Sequence, residues 1–430
     1  MEKLLEMANR ESDAAEVYSA DIQADSVSFE DARLKDIESR MQSGISLRIL
    51  KDGVQGFAYT RNLRSREELI RNALASLRGG VEGTFEFPFT TGLPSLDTCD
   101  PSIGNFRNET MVEECARVCD LFLRKTTAQV NAAASRSVSS IRIINSAGTD
   151  LSLRSSAYSF QAGLLYPYTS ASVHRTFRAK TFEQVPQEYL DFLEGMYTNS
   201  VREIIPPGRP LKVIFLPETV YVLMWRLQTA TNAQSIHQNI SPLAHRMDDK
   251  IFSDLVSVYN DPLNEVLPGA RAFDDEGIPC SRFPVIEQGV LKHFYYDLYF
   301  ARKMKTRPTG HGFKSSVSGK PAPSLRHLTM TPGGSSFADM VRSVDHGIII
   351  AGALGAHSGN IPHGDFSIGI SPAPYIEHGE ITGNVKDAMV AGNIFETMQH
   401  IVAVENRLHP SPGGNFPALL LENVHVTLKQ

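Results

Sequence analysis

The sequence predicts an α+β fold, with a duplicated N-terminal part and a β-rich C-terminal domain. Runs of strands are followed by a helix, which favours segregated α and β layers over a doubly wound sheet. This order occurs twice in the first half of the chain. The segment 205–210, IPPGRP, is typical of a stiff linker. The predicted domains are therefore residues 1–205, in two units at about 1–80 and 105–205, and residues 211–430.

The first unit is predicted to contain a helix, a group of strands and a second helix. The first helix is expected over residues 1–15. The strands are expected at 26–30, 34–40, 44–50 and 55–60. Asp52-Gly53, between the last two strands, is a strong signal for a two-residue hairpin turn. Ser65 to Glu68 has the capping-box pattern S-x-x-E, which predicts a helix over 66–77.

The second unit repeats this order of elements. Helices are expected at 109–125 and from Pro186 to about residue 205. The strands between them are expected near 128–133, 138–145, 151–165 and 170–178. The residues of the two units do not match closely, so the duplication is predicted from the order of the elements.

The composition restricts the classes of function. The chain carries 42 basic and 48 acidic side chains, and this net charge of −6 argues against a general nucleic-acid binder. No apolar run approaches the roughly 20 residues of a membrane span, and the N-terminal segment lacks an apolar signal core. A cytoplasmic protein is therefore expected. Four cysteines are too few for a disulfide framework in a chain of 430 residues.

Residues 211–230 are predicted to form a buried strand that turns directly into a helix. Pro217 suits the first helical turn, where a missing N–H costs nothing. Apolar residues recur at helical spacing and predict a core face, at Val220, Leu223, Met224 and Leu227. The helix carries Trp225 and Arg226, but no metal ligand, nucleophile or base.

Two polar segments of the second half have the composition of a site. Asp274, Asp275 and Glu276 stand in a row and could bind a cation or act as general acid and base, although the composition favours a solvated turn. In the glycine-rich segment 351–369, His357 and His363 could ligate a metal with Asp365. The preferred interpretation of this segment is a tightly packed loop, in which glycines allow two backbones to approach closely.

Several segments, in order and correctly spaced along nearly the whole chain, resemble the TldD/PmbA family. They are 28–30 (SFE), 35–38 (KDIE), 44–48 (GISLR), 272–279 (AFDDEGIP), 289–292 (GVLK), 299–302 (YFAR), 309–311 (TGH), 364–367 (GDFS) and 385–394, which includes AGN. Members of this family are also described as modulators of DNA gyrase or as TldD/TldE peptidase subunits. The resemblance implies the same α+β architecture.

The resemblance also implies a branch of the family. In the TldD branch a helix carries HExxxH, whose histidines hold zinc and whose glutamate acts as general base, and a cysteine near the C-terminus is a further ligand. The TldE/PmbA branch lacks this motif and partners the catalytic subunit. Counted from Pro217, the motif positions fall on Trp225, Arg226 and Ala230, and the cysteine region falls near 409–413, HPSPG. The resemblance therefore implies a non-catalytic chain, with no catalytic residue, metal site or cofactor of its own.

Candidate cleft or interface residues are nominated from the same resemblance. They are Phe273, Asp274, Asp275, Glu276, Gly277, His357, His363, Gly364, Asp365, Phe366 and Ser367.

The leading hypothesis is a partner subunit that shapes the peptide cleft of a zinc metallopeptidase. The partner would be an HExxxH-bearing, TldD-like paralogue in a heterodimer, or a second copy in a homodimer. The substrate would be a linear or unfolded peptide, and neither a membrane nor direct nucleic-acid contact is expected. One alternative is an active metallopeptidase or hydrolase with a relocated site, at the acidic run or in the 351–369 loop. Another is a regulatory binding protein of DNA gyrase-linked toxin systems.

Overall fold

The computed structural model describes residues 1–206 and 210–428 and has the predicted α+β architecture. In the first half, two series of elements follow one another. The first is α1 (Glu2–Asn9), β1 (Ala14–Glu30), β2 (Arg33–Lys51), β3 (Val54–Thr60) and α2 (Arg66–Ser76). The second is α3 (Asn108–Lys125), β4 (Gln129–Asn145), β5 (Asp150–Leu165), β6 (Ser172–Ala179) and α4 (Gln187–Ser200). Each series is a helix, a three-strand meander and a helix, which confirms the predicted duplication.

The strands of both series form one antiparallel sheet, in the order β3-β2-β1-β4-β5-β6. The first strand of each series lies at its centre, where Glu16 of β1 is opposite Asn145 of β4. Strands β3 and β6 are therefore the two edges of this sheet. Helices α3 and α4 of the second series pack on it through apolar residues such as Phe122 and Leu193.

Strands β1, β2 and β4 of this sheet are longer than predicted. The helix predicted over 1–15 ends at Asn9, and the strands predicted at 34–40 and 44–50 are one strand, β2. Likewise, the strands predicted near 128–133 and 138–145 are one strand, β4. Strands β1 and β2 pair without interruption from Ala14 to Ser28. The hydrogen bonds between the two strands therefore override the local sequence signals that predicted shorter strands.

Two local predictions in the first unit are confirmed. Helix α2 begins at Arg66, and the backbone N–H of Glu68 donates to Ser65 Oγ at 3.1 Å, as in a capping box. The turn between β2 and β3 is formed by Asp52 and Gly53, with φ values of 50° and 73°. A two-residue type I′ hairpin turn requires positive φ at both residues, and Asp-Gly predicts the turn because both residues tolerate it.

The second half is rich in short strands, as predicted. Its helices are α5 (Pro217–Thr231), α6 (Ala233–His237), α7 (Leu298–Lys303), α8 (Phe337–Arg342) and α9 (Ile394–Thr397). Its strands, together with the one that precedes residue 207, are β7 (Glu203–Ile204), β8 (Lys212–Phe215), β9 (Val258–Asn260), β10 (Phe283–Glu287), β11 (Val290–Leu291), β12 (Gly312–Phe313), β13 (Ala322–Pro323), β14 (Leu328–Met330), β15 (His346–Ile350), β16 (Ala353–Leu354), β17 (Asp365–Ile370), β18 (Pro374–Glu377), β19 (Glu380–Val385), β20 (Ala388–Asn393), β21 (Ile401–Val404), β22 (His409–Ser411), β23 (Gly414–Phe416), β24 (Leu419–Leu421) and β25 (His425–Thr427).

These strands form several sheets. The orders are β21-β24-β8-β15-β18-β19-β7, β11-β10-β9-β14-β23-β22, β16-β17-β20-β25 and the pair β12-β13. The side chains of β8 alternate between two cores, because Val213 and Phe215 pack with α5 while Ile214 packs with α3 and α4. The largest sheet therefore separates α5 from α3 and α4.

The predicted linker 205–210 includes Pro207, Gly208 and Arg209, which lie outside the described residues. Just before them, β7 pairs with β19 of the largest sheet. All four cysteines are free thiols. Within 1–206 and 210–428, no helix has both the length and the apolar character that crossing a membrane requires.

Candidate functional site

Helix α5 begins at Pro217 and buries the predicted core face. Val220, Leu223, Met224 and Leu227 are all inaccessible or nearly so. The three positions that the resemblance assigned to a zinc motif are in different surroundings. Trp225 is 39% exposed, whereas Arg226 and Ala230 are fully buried.

Arg226 joins α5 to the loop between β15 and β17. Its Nη1 donates to the carbonyl oxygen of Val222, one turn earlier in the helix, at 2.7 Å. Its Nε donates to the carbonyl of Asp365 at 2.6 Å. Its Nη2 donates to the carbonyls of Ala356 and Ser358, at 3.1 and 2.7 Å. Four backbone acceptors thus hold a guanidinium group, which has no lone pair for a metal and does not give up its proton.

Two backbones approach closely at glycines of the segment 351–369, as predicted, although six of the residues from 354 to 363 are exposed. A Cβ atom on Gly352 would collide with the backbone oxygen of Ser371, and one on Gly359 would collide with the backbone of Asp365. His357 and His363 are exposed. The Asp365 carboxylate accepts a hydrogen bond from Asn393 Nδ2 at 2.8 Å. The described parts of the chain contain no group of three His, Cys, Asp or Glu side chains placed to hold a metal ion.

Strand β22, in the region assigned to the cysteine ligand, packs against α5. A Cβ on Gly413 would lie 3.5 Å from Gln228 Nε2 of the helix. His409 Nε2 lies 3.1 Å from the Glu405 carboxylate. The fold therefore brings the two assigned regions together, although the three positions on α5 offer no zinc ligand and the segment 409–413 contains no cysteine.

The run Asp274, Asp275 and Glu276 is buried, so the solvated turn that composition favoured is wrong. The three residues are at most 2% exposed. The carboxylate of Asp274 accepts hydrogen bonds from the backbone N–H groups of Glu276, Ile278 and Gly312, at 2.8 to 3.0 Å. The turn is buried because the N-terminal sheet covers it and supplies the counter-charge.

That counter-charge is Arg48, on β2 of the N-terminal sheet. Its Nη1 donates to Glu276 Oε1 at 2.5 Å and its Nη2 to Glu16 Oε2 at 2.9 Å. Glu276 Oε2 accepts from the backbone N–H of Leu298 at 2.7 Å. All three charged side chains are at least 97% buried. The cluster joins the two halves of the chain through charges that are paired inside the protein.

Further charged groups complete this buried cluster. Asp275 accepts from Arg271 Nη2 at 2.7 Å and from the backbone N–H of Lys314 at 2.8 Å. Burial lowers the pKa of Lys314 to about 8, and its Nζ lies 3.1 Å from Ser46 Oγ. A Cβ on Gly312 would collide with the Glu276 side chain, so this position requires glycine.

The sequence interpretation did not find Arg48, Glu16 or Lys314 as members of this cluster. A usable signal was present, because Arg48 interrupts the apolar run of β2 and Glu16 lies opposite it in β1. A charged residue within a buried strand needs a partner. The partner comes from a turn 228 residues further along the chain, which no local pattern could indicate.

Comparison with known families decides where the chain belongs. The family model described as the PmbA/TldA metallopeptidase C-terminal domain matches residues 207–428, and the model for domain 1 of the same metallopeptidases matches residues 15–77. This chain belongs to the TldD/PmbA family.

Relatives within the family align with this chain over most of its length. A protein named metalloprotease from Methanothermobacter thermautotrophicus is 25% identical over 91% of this chain and 87% of its own length. The crystal structure of TldE from Thermococcus kodakarensis matches with a TM-score of 0.92, at 21% identity over 99% of both chains. A structure from Thermotoga maritima, described provisionally as a modulator of a DNA gyrase, matches with a TM-score of 0.87, at 22% identity over 99% of both chains. The two structural likenesses establish the fold.

The metal that the family description implies does not fit the three assigned positions on α5. Trp225 and Ala230 have no donor atom for zinc, and Arg226 places a positive charge against the loop that carries His357 and His363. A dication beside a fixed guanidinium group would be repelled. The assignment of the motif to these three positions stays a prediction.

Asp297 is expected to make the stability of the protein depend on pH. Burial, with a contribution from the charge of Glu276, raises the pKa of Asp297 to about 8. The folded state therefore holds a proton that the unfolded chain releases near pH 4, and stability falls as pH rises from about 4 to 8. Asp297→Asn preserves an acceptor for the N–H of Phe300, which donates to Asp297 Oδ1 at 2.7 Å. The variant should gain stability relative to wild type by up to about 1.4 kcal/mol per pH unit in this window.

Urea unfolding of both proteins at pH 5, 6, 7 and 8 measures this difference directly. The buried histidines and Lys314 are shared by both proteins, so their contributions cancel. Parallel stability curves for wild type and Asp297→Asn would contradict the assignment of a raised pKa to Asp297.

Proposed function

We propose that this chain is a non-catalytic subunit of a zinc metallopeptidase complex that acts on linear or unfolded peptides. The single observation that carries the proposal is Arg226. It occupies the position assigned to the general base of HExxxH, and four of the five N–H donors of its guanidinium group are directed to backbone carbonyls. A residue in this role holds the helix and loop together and performs no step of peptide hydrolysis.

The catalytic partner in this proposal is a relative that carries HExxxH on the corresponding helix. Family membership and the likeness in fold to TldE support assembly with a catalytic relative, as opposed to activity of the chain alone. A heterodimer is the form that supplies zinc chemistry, since the described residues of this chain offer no metal cluster. The contribution of this chain is then to bind and orient the peptide.

The test is complementation of activity with purified proteins. The isolated chain is expected not to cleave casein or linear peptides, and addition of the HExxxH-bearing relative from the same genome should give chelator-sensitive cleavage. The matched control is the relative with its motif glutamate changed to glutamine, which should remain inactive with this chain present. Robust, chelator-sensitive cleavage by the isolated chain would contradict the proposal. So would stoichiometric zinc binding that is lost in His357→Ala, since that result would indicate a relocated site.

A further inference from the structure

A cavity of about 670 Å³ lies between the edge strand β6, helix α4 and the segment 405–410. Its volume is within the range of ligand sites. Four consecutive residues of β6, Arg175 to Arg178, line it. Successive side chains of a strand point to opposite faces, so a cavity lined by all four extends around the edge of the strand. Among the described strands β6 pairs with β5 alone, which leaves that edge open to the cavity.

Two arginines of the cavity have unused hydrogen-bonding capacity. Arg175 is 8% exposed, and its Nε donates to Glu218 Oε1 at 2.9 Å. Within the described chain, neither Nη atom of Arg175 has an acceptor. Arg178 forms no hydrogen bond or ion pair with any residue of 1–206 or 210–428. The two guanidinium groups therefore leave several N–H donors facing the cavity.

Of the two arginines, Arg175 is paired with the carboxylate of Glu218 at 2.9 Å and its charge also acts on Glu405, so Arg178 is the one without a carboxylate partner in the described chain. Glu188 pairs with Arg407 at 2.6 Å, and Glu405 accepts from His409 at 3.1 Å. Arg178 also lines an adjoining cavity, which Arg326 shares. The lining thus contains one guanidinium group more than carboxylates, with Arg175, Arg178 and Arg407 against two glutamates, and Glu218 balances Arg175 from behind the wall. The group left for a ligand carboxylate is chiefly Arg178.

One part of the cavity wall is apolar and aromatic. Phe177, Phe192 and Phe337 line it. Phe192 packs edge-to-face on Phe337 with centroids 5.5 Å apart, and the Arg175 guanidinium lies 3.5 Å from the Phe192 ring centroid. Rings and guanidinium in contact fix each other's position, which reduces the entropy lost when a ligand binds.

We propose that this cavity binds a carboxylate-bearing, extended peptide. Arg178 and the free N–H groups of Arg175 hold the carboxylate, the edge of β6 pairs with the peptide backbone, and the phenylalanines take an apolar side chain. The carboxylate is the C-terminus of the peptide or an acidic side chain near it. The inference depends on the proposed function only in taking a linear peptide as the ligand.

The test is direct binding to the isolated full-length chain, measured by anisotropy of peptides with an uncharged fluorophore. One neutral sequence of roughly ten residues is made as the free acid, as the C-terminal amide, and as the amide with one glutamate near the end. At least one carboxylate peptide is expected to bind about tenfold more tightly than the neutral amide. The peptide that does so identifies the source of the carboxylate.

Arg178→Gln should remove this tenfold preference, because it removes the guanidinium group that holds the carboxylate. Arg178 is exposed, so the variant is expected to fold. Arg178→Lys should retain part of the preference, and Arg71→Gln, an exposed arginine on α2, should retain all of it. Equal affinity for the three peptides, no binding, or a preference that survives Arg178→Gln would overturn the inference. Arg178-dependent binding of a single-stranded oligonucleotide in place of the peptides would also overturn it.

The two proposals fail in different experiments. Loss of cleavage in the complementation assay, with carboxylate binding intact, overturns the subunit role alone. Normal cleavage by the pair, without peptide binding by this chain, overturns the cavity assignment alone.

Discussion

Arg226→Met is expected to destabilise the protein by about 3–5 kcal/mol, because it removes four hydrogen bonds made by a buried charged group. Methionine fills part of the volume but donates to none of the four carbonyls. The carbonyls of Ala356, Ser358 and Asp365 then lose a partner close to the core. The loop 351–369 loses its attachment to α5 in the same change.

Urea unfolding measures this effect, with Arg71→Met as the matched control. Arg71 is exposed on α2, and its replacement should change stability by no more than about 0.5 kcal/mol. Arg226→Lys should remain strongly destabilised, because one ammonium group cannot reach carbonyls on several sides of a planar guanidinium. Wild-type stability in Arg226→Met would show that Arg226 does not hold the helix and loop together.

Arg48→Met is expected to cost about 3–5 kcal/mol at neutral pH, since it leaves Glu16 and Glu276 buried without their shared counter-charge. The loss arises from the two uncompensated carboxylates more than from the missing attraction. It therefore depends on pH. Unpaired buried carboxylates take up protons in the folded state, so the deficit should shrink as pH falls toward about 4.

The control is Arg142→Met, which removes a partly exposed arginine that pairs with Asp150 at 2.7 Å and with Glu2 at 2.8 Å. Solvent screens both pairs, so their loss should cost no more than about 1 kcal/mol. Urea unfolding at pH 5 and 7 distinguishes the two variants. If the Arg48→Met deficit equals that of Arg142→Met, or does not change with pH, the buried cluster does not stabilise the junction between the two halves.

Local elements of the fold could be predicted where a short pattern determines them. The Ser65 cap, the Asp52-Gly53 turn and the core face of α5 depend on neighbouring residues, and all three are confirmed. The full lengths of β1, β2 and β4 were not predicted, because long strands depend on pairing with distant strands. The same limit applies to the site. Adjacent acids indicate charge, but their burial depends on Arg48 in another sheet.

The sequence alone determined the α+β class, the repeated order of elements, the family and the absence of HExxxH from α5. These properties depend on residue identity and spacing along the chain. Only the tertiary structure decided that Arg226 holds a loop to α5, that the acidic run is buried against Arg48, and that β6 presents two arginines to a cavity. Each of these contacts joins residues more than forty positions apart, such as Arg175 and Glu218. The physical reason is that the partner of a buried charge is selected by proximity in the folded chain, and proximity across sheets is not encoded in any local pattern.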